Sequence, residues 1–210
     1  MINKGILISF TGINGTGKRR QSALLCKWFE DKGFTALEMP KIPAFSDMVF
    51  DNISKDKGYQ DSTELFPTDV VHFASAIDRV RIFTPYAQKM VEQGAVMIMP
   101  EYSYCRMALA KLDRVKNLKL LSEVYDWLPD ADIIFYMDIP SELAIERLRK
   151  SNMVTKDSSY FENLKSCYMD LPKYKKFIKI DASKSEKEVQ NTLRQHVMEY
   201  LRNKNILLRR

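Results

Sequence analysis

Five short apolar runs punctuate this chain, separated by longer stretches in which apolar residues return every three or four positions. The run at 5–10, GILISF, reads as a buried strand. Residues 18–32 read as a helix with Leu24, Leu25, Trp28 and Phe29 on one face and Gly33 just past its end. A second strand is expected over 34–40, stopped by Pro40, and a short helix over 45–56. A long helix over 69–92 can be capped by Thr68 or Asp69 and is closed by Gly94; a third strand follows at 95–100. Helix is expected at 115–127, a fourth strand at 131–139, and helix from 141 to 151. Pro140 takes a first-turn position there, and Ser141 or Glu142 can serve the exposed donors. Another helix at 158–171 and a fifth strand at 177–183 complete the alternation. The closing stretch, 185–204, is strongly amphipathic; Ser183 or Ser185 can open it, with Glu188 placed for a capping box. The pattern predicts an α/β fold with a five-stranded parallel sheet and helices on both faces. No repeat or linker divides residues 1–210, so one domain is expected.

Composition narrows the class. The chain is 45% hydrophobic and 29% charged, as in soluble globular proteins. No apolar stretch is long enough to span a bilayer, so no membrane association is expected. The opening MINKGILISF lacks the long apolar region of a secretion signal and reads as the first strand of a cytoplasmic protein. Cys26, Cys105 and Cys167 are widely spaced and form no C-x-x-C pair, so neither disulfides nor zinc are indicated, and Cys26 belongs to a core stripe. The net charge is +6, but its basic residues are dispersed, which argues against a nucleic-acid partner and suits a phosphorylated small molecule. Met97, Met99 and Met137 read as core filling, and His72 and His196 as packing residues on apolar helix faces.

The chemistry concentrates in residues 12–18, GINGTGK, which fit all but the last letter of the phosphate-loop pattern G-x-x-x-x-G-K-S/T. The loop lies between a strand and a helix, the context in which backbone amides and a helix N-terminus hold phosphate. Gly12, Gly15 and Gly17 keep the backbone approachable, Asn14 and Thr16 complete the turn, and Lys18 supplies a cation for the outer phosphates. The next residue is Arg19, not the Ser or Thr that ligates Mg²⁺ in such loops. Guanidinium has donors only, so Arg19 either turns outward, binds phosphate itself, or marks a site with weakened catalysis.

Several segments in order along the chain resemble the thymidylate kinase family of nucleoside monophosphate kinases. They are FTGINGTGKRRQS at 10–22, VHFASAIDRVRIF at 71–83, LPDADIIFYMDIPSELAIERLRKS at 128–151 and KIDASKSEKEV at 179–189. The resemblance implies a three-layer P-loop NTPase fold, with γ-phosphoryl transfer from ATP to dTMP in the presence of Mg²⁺. It further implies that residues 12–18 bind the ATP phosphates, that Ser183 lies by the adenine, and that Arg147 and Arg149 stand where the lid begins. On the acceptor side it implies Arg79 with Asp78 beside it, Lys41 on the acceptor phosphate, Phe73 against the base, Cys105 at a serine position, and Asn14 near the sugar. Tyr102 is either a site aromatic or part of the cleft wall. Pairing as a homodimer through helices including 69–92 is also implied.

The sequence departs from that family at Asn14, at Arg19, at Pro100 and Glu101, where an Asp and an Arg serve acceptor and metal, and in an arginine-poor lid at 151–163. Glu101 is the carboxylate placed to take over a metal or sugar contact. Lys18, Lys41, Arg79 and Arg19 could neutralise the transferred charge. Two readings remain: an active kinase, or a catalytically impaired relative that binds nucleotide or a protein partner.

Overall fold

A computed structural model describes residues 5–40, 44–153 and 156–205. Strands β1 (Ile6–Thr11), β2 (Ala36–Glu38), β3 (Val96–Met99), β4 (Ile133–Asp138) and β5 (Ile178–Asp181) form one sheet in the order β2-β3-β1-β4-β5. All four pairings are parallel, with Ile8 opposite both Ile98 of β3 and Ile133 of β4. Every residue of β1 is buried, as a central strand covered on both faces requires. The chain builds β2 and β3 on one side of β1 and β4 and β5 on the other, which opens a crevice at the carboxyl ends of the strands.

Nine α-helices surround the sheet among the described residues: α1 (Lys18–Asp31), α2 (Phe45–Asp56), α3 (Ser62–Leu65), α4 (Thr68–Glu92), α5 (Ser103–Leu112), α6 (Leu118–Tyr125), α7 (Ser141–Lys150), α8 (Ser158–Met169) and α9 (Glu186–Asn203). One contiguous core joins them to the sheet and includes Phe10, Phe29, Met97, Met99, Phe135 and Met137. Cys26 belongs to it, and burial pushes its thiol up to about 11. His72 meets Asp113 at 2.8 Å, and His196 packs near Phe135.

All five strands and seven of the helices lie where the pattern predicts them. Two helices do not follow from it. Helix α3 is a single turn whose Asp61 cap accepts from the Thr63 amide. Helix α5 begins four residues after β3 without any side-chain cap, so no start signal marks it. Small and mixed side chains, Tyr104, Cys105, Ala108 and Ala110, form its buried stripe.

Helix ends also differ in detail. Neither Thr68 nor Asp69 caps α4; Asp69 instead accepts from the Lys116 amide at 3.2 Å. Pro140 is the residue preceding α7, and the Ser141 hydroxyl donates to Glu162 rather than to its own helix. The capping box of α9 is present, formed by Ser185 and Glu188. Ser183 is bound instead to Asp181.

Candidate active site

The turn between β1 and α1 needs its glycines. Gly12, Gly15 and Gly17 have φ of 128°, 82° and 83°. A Cβ on Gly12 would stand 2.5 Å from the Met137 carbonyl oxygen, because β4 runs directly beneath the loop. Around Gly17 nothing lies within 4 Å, so this glycine faces open space. The Thr16 hydroxyl donates to the Ile13 carbonyl at 3.0 Å and braces the turn from inside. Loops of this geometry form a concavity suited to anions.

Lys18 opens α1 and folds back over the loop. Its Nζ donates to the carbonyls of Gly12 and Ile13 at 2.8 and 2.9 Å. Burial pulls its pKa down, and Cys105 and Glu101 pull it back up. Beneath the loop, the Tyr168 hydroxyl donates to Gly12 O at 3.2 Å, and Cys105 Sγ lies 3.2 Å from Thr11 Oγ1. Burial raises the Tyr168 phenol well above its ordinary value.

Two cavities meet beside this loop, at Arg19 in the first turn of α1. The larger, about 610 Å³, is lined by Gly12, Asn14, Gly15, Gly17 and Lys18, by Cys105 and Tyr168, and by Arg147 of α7. The smaller, about 230 Å³, lies between α2, α4 and the end of β3 and is lined by Asp47, Asp51, Arg79, Phe83 and Met99 among others. Arg19, Glu101 and Arg106 line both. Arg79 in the smaller cavity is held by Asp47 at 2.9 Å, and its Nε donates to Ser75 Oγ at 3.2 Å. Arg106 faces Glu101 at 3.5 Å.

The structure thus brings Gly12, Asn14, Gly15, Gly17, Lys18, Arg19, Glu101, Cys105 and Arg147 to one cleft and Arg79 to its neighbour. Thr16 is buried within the loop, and Arg147 donates to the carbonyls of Ala182 and Ser183 at 2.9 and 3.5 Å. Ser183 itself lines neither cavity. Tyr102 is buried, lines neither cavity, and donates to Pro129 O at 2.7 Å. Phe73 and Asp78 line neither cavity. Phe73 is six residues from Arg79 and therefore about 120° away around α4; it packs against the core. Asp78 accepts from the Ser46 amide at 2.7 Å and ties α4 to the first turn of α2. Lys41 lies outside the described residues.

Several cavity residues were not anticipated from the sequence, among them Asp47, Asp51, Phe83, Arg106 and Tyr168. Phe83 and Ser75 stand four residues either side of Arg79, so helical spacing from Arg79 could have found both. Arg106 had no such signal, because its helix had none.

Comparison with known proteins gives a consistent answer. The family model described as thymidylate kinase matches residues 10–193. The chain is 27% identical over 155 residues to a probable thymidylate kinase of Pyrococcus horikoshii, covering 72% of this chain and 74% of that protein. It is 26% identical over 220 residues to a probable thymidylate kinase 2 of Saccharolobus solfataricus, covering 95% and 99%. A thymidylate kinase of Fervidobacterium nodosum is 22% identical over 196 residues, covering 88% and 94%.

Proposed function

The chain belongs to the thymidylate kinase family, and we propose that it transfers the γ-phosphoryl group of ATP to a nucleoside monophosphate, with dTMP as the first candidate acceptor. The observation that carries this reading is the pair of cavities sharing Arg19, Glu101 and Arg106, with Lys18 beside them. A transferring phosphoryl group must be reached from both sides, and a shared cationic wall is where that can happen.

In phosphoryl transfer the protein chiefly positions groups and neutralises charge. ATP enters the larger cleft, whose volume falls in the usual range for small-molecule sites. Its phosphates settle on the glycine turn, and Lys18 exchanges two loop carbonyls for phosphate oxygens. The acceptor enters the smaller cavity beside Arg79. An oxygen of its phosphate attacks the γ-phosphorus in line, the bond to the β-phosphate oxygen breaks, and ADP leaves. Arg19 stands on the shared wall, where its charge faces the group in transit.

Glu101 is the one carboxylate among the described residues lining the larger cleft. Mg²⁺ commonly takes one or two carboxylates, with phosphate oxygens and water completing its shell. That donor set fits, so Glu101 would hold the ion, which neutralises phosphate charge when bound. Val70 and Ile77 are exposed two turns apart on α4, which supports a homodimer built on that helix.

Mixing the protein with ATP, Mg²⁺ and a panel of nucleoside monophosphates, and following ADP, tests the proposal. Turnover with dTMP above about 1 s⁻¹, a low ordinary enzyme rate, is the expected result. Thermal stabilisation by ATP with no ADP release for any acceptor would replace the kinase with a nucleotide-binding protein.

A further inference from the structure

Arg106 has no part in the family resemblance, yet it occupies a singular place. Of the three residues common to both cavities, two are arginines, and Arg106 is the one mounted on a buried helix. Its helix neighbours Cys105, Ala108 and Ala110 are buried, so α5 presents the guanidinium from a rigid base. Burial is the main cause that lowers the pKa of both Lys18 and Arg79, and the charge of Arg106 adds to it in each case. The cations at this junction therefore strain against one another.

Two carboxylates relieve that strain unequally. Asp47 holds Arg79 at 2.9 Å, with the Arg79 side chain only 12% exposed. Glu101 meets Arg106 at 3.5 Å, where both side chains are appreciably wetter. A long, wet pair of this kind contributes little and exchanges readily. A phosphate dianion offers the guanidinium fork two oxygens at once and a larger charge.

We propose that Arg106 is the acceptor-phosphate residue of this chain: it leaves Glu101 and takes the phosphate of the monophosphate at the border of the two cavities. This rests on the kinase reading above and adds a specificity element to it. It is not a charge that any arginine could supply. Arg81, on α4 with Arg79, is exposed and faces Asp78, away from both cavities.

Calorimetric titration of dTMP, thymidine and a non-hydrolysable ATP analogue into the wild type, Arg106→Gln and Arg106→Lys tests the assignment. The expected result is a loss of dTMP affinity of about 10–100-fold in Arg106→Gln, the scale of a charge-assisted contact. Arg106→Lys should fall between, because the ammonium keeps charge but loses the fork. Thymidine, which lacks the phosphate, should bind variants and wild type alike, and the ATP analogue should change far less than dTMP. Unchanged dTMP affinity in Arg106→Gln overturns the assignment and leaves the kinase reading intact. Equal weakening of thymidine and dTMP, or weakening mainly of the ATP analogue, also overturns it. Absence of saturable dTMP binding to the wild type overturns both, and the ATP analogue still reports separately on the loop.

Discussion

The guanidinium of Arg79 donates to the carboxylate of Asp47 at 2.9 Å, joining α4 to α2 along the wall of the smaller cavity. The pair is part-buried, so removing one partner strands a charge in a poorly hydrated place. Asp47→Ala is expected to lower stability by about 1–3 kcal/mol, with the upper range of buried pairs reduced by residual exposure. Urea unfolding of Asp47→Ala, Arg79→Met and the double variant should give a coupling energy of at least about 0.5 kcal/mol. A coupling near zero would mean that the two groups are solvated independently.

Lys18 spans two roles, bracing the loop through Gly12 and Ile13 and facing the cleft. Lys18→Ala should abolish turnover and cost about 1.5–3 kcal/mol of stability, the scale of hydrogen bonds to a charged donor. Paired activity and melting measurements check this; retained turnover would remove the loop as the phosphate site.

Arg19 is exposed, lines both cavities and has no ion-pair partner among the described residues. That placement suits a cation held for the phosphates. Arg19→Thr is expected to lower kcat by roughly 10-fold or more, since removal of single charge-stabilising groups has effects of this size. The variant should also depend more steeply on Mg²⁺. A rise in kcat at saturating Mg²⁺ would show instead that the arginine blocks an otherwise usable metal position.

Glycines 12 and 17 are both held at positive φ, but only the first is hemmed in by β4. Gly17→Ala should cost about 1 kcal/mol, the backbone penalty alone. Gly12→Ala adds a clash with the Met137 carbonyl and should cost about 3 kcal/mol or more. Thermal melts should rank them in that order, with roughly 2–4 °C per kcal/mol for a chain of this size.

Asp78 should make the fold acid-sensitive. The Ser46 amide holds its carboxyl below the usual 3.8. A depressed folded-state pKa contributes stability that is full above the ordinary value and disappears as pH falls through the folded value. Asp78→Asn should therefore be less stable than wild type by about 1 kcal/mol near neutrality. The gap should close as the pH drops below about 4, read from melting temperature against pH. A gap independent of pH would assign the effect to packing.

The strands and most helices were legible because burial leaves a periodic trace in one dimension. A central parallel strand reads as a nearly continuous apolar run, as GILISF does apart from Ser9, and a surface helix must repeat apolar residues every three or four positions. Glycine spacing together with Lys18 likewise announced a phosphate loop, since that chemistry needs positive φ and a cation at fixed offsets. Helix α5 left no trace, because its start has no cap and its buried stripe is small and mixed.

What the chain by itself determined is the alternation of elements, the loop and the identity of its cation. Only the tertiary structure decided that Arg106 meets Glu101 between two cavities and that Asp78 serves α2 rather than the cleft. Those relations depend on how the helices pack against the sheet and against one another, a three-dimensional matter that no local spacing encodes.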